Sequence, residues 1–161
     1  MKNPIQPTDA AARDIAQTLL QEARFAALAV ILPDGAPLVT RVAFGLSAAG
    51  QPLSLIAGLA AHTRALQANP ACSVLIGEPG DRGDPLIYPR LTLQARATFV
   101  HHGTDVFAKM AAHYLRDHPK SKLYIGLPDF SFVQFTVHRG HLNAGFGKAF
   151  TLSPADMCLP A

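Results

Sequence analysis

Residues 37–70 read PLVTRVAFGLSAAGQPLSLIAGLAAHTRALQANP, and this stretch decides the fold. Its pattern predicts a strand, a turn, a second strand and a short helix. Arg41 lies among apolar neighbours in the first strand, and the helix opens on His62, Thr63 and Arg64. A helix N-terminus offers unpaired N–H groups and a partial positive charge. Because two guanidinium groups and a hydroxyl can join those N–H groups, the stretch predicts a site for a phosphate or similar anion.

Composition predicts one domain with an oligomer interface. The chain has 161 residues, enough for a single core, and we expect an N-terminal arm over residues 1–7 and one domain over residues 8–161. Hydrophobic residues make up 49% and charged residues 16%, which leaves few charges to cover a surface. The net charge of +3 is mild and scattered, so we expect a small anionic ligand and no nucleic-acid partner.

The cysteines and the N-terminal segment indicate a reduced, cytoplasmic protein. Cys72 and Cys158 form no CxxC motif, which argues against a disulfide framework and a zinc site. The first residues, MKNPIQPTDAAARDIAQ, carry acids and prolines where a secretory signal needs an apolar stretch. No run approaches 18 apolar residues, so we expect no membrane partner. No pair of histidines has HxxxH spacing on a helix, so we also expect no bound metal.

The segment before the opening stretch predicts a helix and a hairpin. Thr8 or Asp9 caps a helix that runs to about Arg24, with apolar residues at spacings of three and four. Residues 25–32 are continuously apolar and predict a strand, and Pro33-Asp34-Gly35 is a turn signal. We therefore expect an antiparallel hairpin. With the strand at 53–57, it forms three sequential antiparallel strands.

The segment after it predicts four more strands and a second long helix. Thr104 or Asp105 caps that helix, and Arg139-Gly140 is interpreted as a turn into a last strand. With about seven strands, the chain is mainly β with flanking helices (α+β), an antiparallel sheet best closed as a barrel. The predicted strands are residues 71–77, 91–101, 130–137 and 141–146.

Four segments in order resemble a known family. They read RVAF, SLIAGLAAHTRALQANPACSVLIGE, PRLTLQARA and DFSFVQFTVHRGHLNAGFGKAF. In sequence and spacing they resemble the FMN-binding split-barrel family of pyridoxamine 5′-phosphate oxidase-like proteins, and within it the haem-utilisation (HugZ-like) branch, which shares AHTRAL and NAGFGKA. The resemblance covers about residues 20–156. It implies a homodimer of split barrels with FMN in two clefts at the interface.

The resemblance also implies the roles of individual residues. Arg41, Thr63 and Arg64 would hold the flavin phosphate, with His62 beside it. Backbone of the first strand and the SLIAG segment would line the ring, and Gln94 would reach the ring edge from its own or the partner subunit. The implied cofactor-binding residues are Arg41, Val42, Ala43, Ile56, Ala57, His62, Thr63, Arg64 and Gln94.

The residues alone leave other interpretations open. Arg41 also fits an edge-strand arginine that extends to water or an interface ion pair. Thr63 and Arg64 also fit ordinary helix capping with a solvated charge. Gln94 also fits a side chain that satisfies a backbone group. The GFGK sequence at 145–148 lacks the spacing of a phosphate loop, so we interpret it as a bulge or close backbone approach in the last strand.

The function expected from the resemblance is FMN-dependent oxidation or reduction of a small molecule. Substrate would enter over the exposed flavin face, near the loop at 78–89 and near Asn143 and Phe146; no acid or base is assigned. The alternative is a haem-binding or haem-utilisation protein that uses the same cleft, for which His138 and His141 are the pair to test. A third hypothesis is a flavin-binding module without turnover.

Overall fold

The computed structural model describes residues 4–161, which form one mixed sheet of nine strands flanked by three helices. Short 3₁₀ turns at Pro85–Ile87, Pro119–Leu123 and Ala155–Met157 complete the secondary structure. The helices are α1 (Ala10–Glu22), α2 (Ala61–Ala68) and α3 (Asp105–Tyr114). The strands are β1 (Ile5–Gln6), β2 (Phe25–Ile31), β3 (Pro37–Ala43), β4 (Gly45–Leu46), β5 (Pro52–Ala57), β6 (Ala71–Ile76), β7 (Arg90–Val100), β8 (Phe130–Asn143) and β9 (Ala149–Leu152).

The strands are ordered β3-β2-β6-β7-β8-β9-β1 along the sheet, and β5 pairs with β8 and β4. The predicted hairpin of β2 and β3 is confirmed, with Phe25 opposite Ala43. β8 pairs with β7 along one edge, while its other edge holds first β5 and then β9. β1, in the segment predicted as an arm, pairs in parallel with β9.

The predicted split barrel is confirmed, but the sheet does not close. β3 and β5 lie beside each other in space, yet no ladder joins them within residues 4–161. The third of the predicted antiparallel strands, β5, pairs antiparallel with β4 and β8 but not with β3. This unpaired junction between residues 41–43 of β3 and 55–57 of β5 is called the seam below.

Two apolar clusters stabilise the barrel. The larger one fills the barrel beneath α1, whose Ala12, Ala16 and Leu20 are buried against the strands. Asp9 caps α1 by accepting the backbone N–H of Ala12, as the sequence predicts. The smaller cluster packs α3 on β5 and β8 through Leu53, Leu55, Phe107, Tyr114, Ile125 and Phe132.

The predicted turn at Arg139-Gly140 is wrong, because β8 continues through it as one strand of 14 residues. Gly140 is buried opposite Leu152 of β9, and a Cβ atom there would lie 2.7 Å from the sulfur of Met157. The glycine therefore makes room for packing and does not turn the chain. His138 and His141 consequently lie on one strand, and the register shifts beside His138, the extra residue on β8.

The bulge predicted for GFGK is wrong, because these residues form the turn between β8 and β9. A close backbone approach, the alternative, does occur at Gly145, where a Cβ atom would lie 3.3 Å from the carbonyl oxygen of Ile87. The N–H of Ala144 donates to the carbonyl of Lys148 at 2.9 Å, and Lys148 donates back to Gly145 at 3.1 Å. Gly145 and Gly147 have φ of 115° and 70°, values that glycine adopts without strain. The last strand is therefore β9, further along the chain than predicted.

No helix within residues 4–161 has the length and apolar character needed to cross a bilayer.

Candidate functional site

A groove of about 260 Å³ lies along the seam. It brings together six of the nine residues predicted to bind a cofactor, from three separate elements. β3 contributes one side of the groove, β5 the other, and the start of α2 one end. The six residues are Arg41, Val42, Ala43, Ile56, Ala57 and His62.

Unpaired strand edges line this groove. β3 uses its other edge to pair with β2, and β5 uses its other edge to pair with β8. Strand edges carry backbone N–H and C=O groups that need partners. The seam therefore offers backbone donors and acceptors to the edge of a flat, polar ligand, except for the Ala57 carbonyl, which accepts bonds from Ala60 and Thr63.

One end of the groove is cationic and polar. The guanidinium carbon of Arg41 lies 5.5 Å from the ring centroid of Phe25, a cation–π contact that leaves its N–H groups free for other partners. Nδ1 of His62 lies 2.9 Å from the hydroxyl oxygen of Thr40. Burial lowers the pKa of His62, which favours the neutral ring. Thr40 was not predicted, because only the fold brings it to His62.

Thr63 and Arg64 hold the first turn of α2 against the end of β5. Thr63 is 2% exposed, and its hydroxyl donates to the carbonyl oxygen of Ala57 at 2.6 Å. Nη2 of Arg64 donates to the carbonyl of Leu59 at 3.2 Å, and the rest of its side chain is exposed. Ala60 precedes the helix without a side-chain cap, and the N–H of Thr63 donates to the carbonyl of Ala60. The N–H groups of Ala61 and His62 are therefore the ones open to a ligand.

The groove also has an aromatic wall, which the sequence did not single out. Tyr124 and Phe130 line it, with ring centroids 5.0 Å apart. The hydroxyl of Tyr124 lies 2.9 Å from that of Ser121, which is buried. Phe130 reaches the groove because β8 places it opposite Ala57. No local signal marks these two residues, since their position depends on strand register.

Gln94 lies away from the groove in the same subunit. It sits on β7, three strands from Arg41 on β3 in the strand order of the sheet. There it borders a separate cavity of about 280 Å³ that His138 also lines. Its amide oxygen lies 3.2 Å from Nε2 of His141.

Asn143 and Phe146 are the predicted substrate-side residues; Asn143 ends β8, and Phe146 lies in the turn that follows. The side-chain oxygen of Asn143 accepts the N–H of Gly145 at 3.0 Å, so it stabilises the turn. Phe146 is 79% exposed at the turn. Neither residue lines the seam groove of its own subunit.

The sheet face beside the seam is apolar and exposed. Alternate residues of β2, β3 and β6 point outward, including a valine that is 63% exposed. Arg41 lies on this same face, opposite Ala27 in the ladder. The face is called the outer face below, and its exposed large apolar residues are Phe25, Ile31, Val39 and Leu75.

Outside the groove, a buried thiol has a shifted pKa. Burial raises the pKa of the Cys72 thiol to about 12, so it is an unreactive core group. Among the described residues, no three His, Cys, Asp or Glu side chains gather as a metal site.

Known proteins resemble this chain in sequence and fold. A curated relative, "Non-canonical heme oxygenase HOZ, chloroplastic" of Arabidopsis thaliana, is 34% identical over 118 residues, which cover 73% of this chain and 35% of that protein. The chain thus spans about a third of its length.

Two solved structures have a TM-score of 0.80 to this chain. One is the protein Atu2129 of unknown function from Agrobacterium tumefaciens, 32% identical, with coverage of 97% of this chain and 65% of the other. The second is a haem-binding protein from Mycobacterium smegmatis, 27% identical, with coverage of 95% and 61%. The shared fold is therefore the complete barrel of this chain.

The family comparison agrees with the resemblance found in the sequence. A model described as "Pyridoxamine 5'-phosphate oxidase" matches residues 12–144, which includes both strands of the seam and α2. The match also extends through β8, the strand that supports β5. By sequence and by fold, the chain belongs to the pyridoxamine 5′-phosphate oxidase family.

Proposed function

We propose that the chain is a flavoprotein that binds FMN in the seam groove. We propose further that it is an FMN-dependent oxidoreductase acting on a small molecule. One observation carries this proposal. The groove joins a cationic end, formed by Arg41, His62 and the start of α2, to a slot edged by unpaired backbone. That is the combination a phosphate and a flat heterocycle need.

The phosphate side fits the charge of the ligand. The phosphate of FMN is nearly a dianion, and Arg41 places a permanent positive charge at the groove. Arg64 is close in sequence to the groove-lining His62, and its exposed chain is free to reorient toward a ligand at the cost of one bond to Leu59. The first N–H groups of α2 add a partial positive charge.

The ring side fits the shape and polarity of isoalloxazine. Val42, Ala43, Ile56 and Ala57 offer small or apolar side chains, which let a flat ring approach the backbone. Unpaired N–H and C=O groups of the strands match the polar edge of the ring. Phe130 adds an aromatic wall beside the slot. When bound, FMN supplies the redox chemistry, while these residues bind and orient it.

We propose that two copies pair through the outer face. The groove of one subunit has a volume of about 260 Å³, below the roughly 300–1,000 Å³ typical of small-molecule pockets. One subunit therefore encloses only part of a flavin. Exposed Phe25, Val39 and Leu75 beside the groove are apolar area that a second copy would bury. We propose that Gln94 of the partner subunit reaches the ring in such a dimer, since Gln94 does not line the groove of its own subunit.

We also propose where a substrate enters. Substrate would approach the flavin face near the loop at 78–89, with Asn143 and Phe146 at the rim. We propose a cytoplasmic setting for this activity, as the reduced cysteines indicate.

The FMN site is tested by titration with FMN, monitored by flavin fluorescence. The proteins compared are the wild type, Arg41→Ala, Arg64→Ala and the double variant. Loss of a charge-assisted contact weakens binding by about tenfold or more for each arginine. Arg116→Ala is the matched control, because Arg116 is an exposed arginine after α3. FMN affinity unchanged in the double variant contradicts the proposed phosphate site. Anaerobic reduction of bound FMN by NADH or NADPH then separates an enzyme from a flavin module without turnover.

Haem is the second candidate ligand, favoured by what two relatives are called. One is named a haem oxygenase and the other a haem-binding protein. Titration of the purified protein with haemin, followed through the Soret band, tests this candidate. If haem binds saturably and is not displaced by FMN, and if FMN itself does not bind, haem replaces FMN as the proposed ligand. His138→Ala with His141→Ala tests whether that pair contributes.

A further inference from the structure

The hydroxyl assigned to the phosphate by resemblance is already occupied. Thr63 donates its single hydroxyl proton to the carbonyl oxygen of Ala57 at 2.6 Å and is almost completely buried. A phosphate ester accepts hydrogen bonds and has no proton to give at neutral pH. Thr63 in this conformation has no donor left for it. Its bond joins the end of β5 to α2, which is a positioning role.

The groove has a different neutral donor in His62. Three of its lining side chains carry polar hydrogens: Arg41, His62 and Tyr124. The hydroxyl of Tyr124 is engaged with Ser121 on the aromatic side. His62 and Arg41 both line this groove, so one ligand there can contact both side chains.

Thr40 determines which nitrogen of His62 remains for a ligand. Its hydroxyl oxygen lies 2.9 Å from Nδ1, and Thr40 directly precedes Arg41 on β3. Nε2 has no hydrogen-bond partner among the residues that the structure describes. A neutral imidazole carries one proton, and the bond made by one nitrogen fixes the role of the other. Thr40 and His62 therefore act as one unit.

We propose that Thr40 donates its hydroxyl proton to Nδ1 of His62, so that His62 presents Nε2–H to the phosphate of the bound flavin nucleotide. The inference rests on the proposed FMN site. The opposite tautomer would point a lone pair at an anion, which is repulsive. The pair makes the groove selective for the phosphorylated flavin over riboflavin, with Arg41 as the charged partner and Thr40 as the positioning residue.

The first test compares FMN with riboflavin in Thr40→Val, which keeps the shape of threonine and removes its hydroxyl. We expect FMN affinity to fall by about tenfold while riboflavin affinity stays at its wild-type value, since only FMN carries the phosphate. Thr40→Ser keeps the hydroxyl and should restore FMN affinity to within about twofold. Thr151→Val is the matched control, because Thr151 is exposed on β9 at the far side of the sheet.

The second test changes the donor itself. His62→Gln places an amide N–H near the position of Nε2 and should retain part of the FMN preference, whereas His62→Ala should lose it. ¹⁵N NMR of the FMN complex, with the signal of His62 assigned from its absence in His62→Gln, reports the tautomer directly. We expect a protonated Nε2 in wild type and a mixture of tautomers in Thr40→Val.

Three results separate failure of this inference from failure of the FMN site. Equal loss of FMN and riboflavin affinity in Thr40→Val means that Thr40 only supports the fold, and the inference is overturned. A protonated Nδ1 in the FMN complex overturns it as well. If the wild-type protein binds neither flavin, the proposed FMN site itself, on which the inference depends, is contradicted. Thermal unfolding of each variant checks that the variants are folded.

Discussion

The strand edges at the seam are unpaired, whereas a strand edge at the opposite corner of the sheet is paired. At the seam, β3 and β5 face each other without a ladder, and an exposed apolar face adjoins them. At the C-terminal corner, formed by β9, β1 and residues 153–157, the edge is covered by the parallel strand β1. There Asp156 accepts bonds from Arg13 and Ser153.

The difference shows where the chain leaves binding capacity. An unpaired edge costs stability unless another chain, a ligand or water satisfies it. At the corner, Arg13, Ser153 and Asp156 bond to one another. The seam keeps backbone groups, Arg41 and His62 available. A single fold thus provides one edge for stability and one for recognition, and the following changes test that division.

The largest expected effect is on dimer formation. Val39→Asp places a charge in the apolar outer face, and the cost of burying it should weaken dimerisation by more than about 100-fold. Sedimentation velocity at micromolar concentration measures this change. Val106→Asp is the matched control, because Val106 on α3 is 58% exposed against 63% for Val39. A wild-type monomer, or an unchanged dimer in Val39→Asp, would show that the outer face is not the interface.

Thr63→Val should reduce both stability and ligand binding at the seam. It removes the buried hydrogen bond to Ala57, which should lower the free energy of unfolding by about 1–2 kcal/mol. Because the start of α2 is then less well held, FMN and riboflavin should both bind several-fold more weakly. Chemical denaturation and flavin titration measure the two effects. A loss confined to FMN would instead assign the phosphate donor to Thr63.

Asp156→Asn should affect stability alone. It weakens the bond from Nε of Arg13 at 2.8 Å and the bonds from Ser153, which together tie the start of α1 to the C-terminal residues. The ion pair is partly exposed, so we expect a loss of about 1 kcal/mol. Flavin affinity and dimerisation should stay unchanged. A change in either would mean that the corner and the seam are coupled.

The smallest effect is the pH dependence of the corner. Hydrogen bonds from Ser153 and Arg13 lower the pKa of Asp156 below its ordinary value of 3.8. A carboxyl with a lowered folded-state pKa stabilises the fold above its unfolded-state pKa and loses that contribution as the pH falls through the folded-state pKa. Wild type and Asp156→Asn should therefore differ in stability at neutral pH and converge below about pH 4. A constant difference down to pH 2 would contradict this assignment.

Local signals predicted the elements that local chemistry controls. The cap at Asp9, the turn at Pro33-Asp34-Gly35 and the helix after Ala60 each depend on residues within a few positions, and the structure has all three. The turn at Arg139-Gly140 failed for the opposite reason. Gly140 is required by Met157, which lies far along the chain, and no local pattern reveals such a contact.

The candidate site shows the same division. Arg41 and His62 stand out as polar residues in apolar surroundings, and the groove contains both. Thr40, Tyr124 and Phe130 do not stand out, because their roles depend on which strands are neighbours. The position of Gln94, far from Arg41 in the same subunit, could not be predicted either, since it follows from the order of the strands.

By itself, the sequence determined the periodic strands, the caps and turns, the hairpin and the family, because each follows from residues close together or from motifs in a set order. Only the tertiary structure decided that β3 and β5 stay unpaired, that Thr63 is committed to Ala57, and that Thr40 meets His62. These outcomes depend on strand order and register, which arise from burying the whole core at once and cannot be read from any one segment.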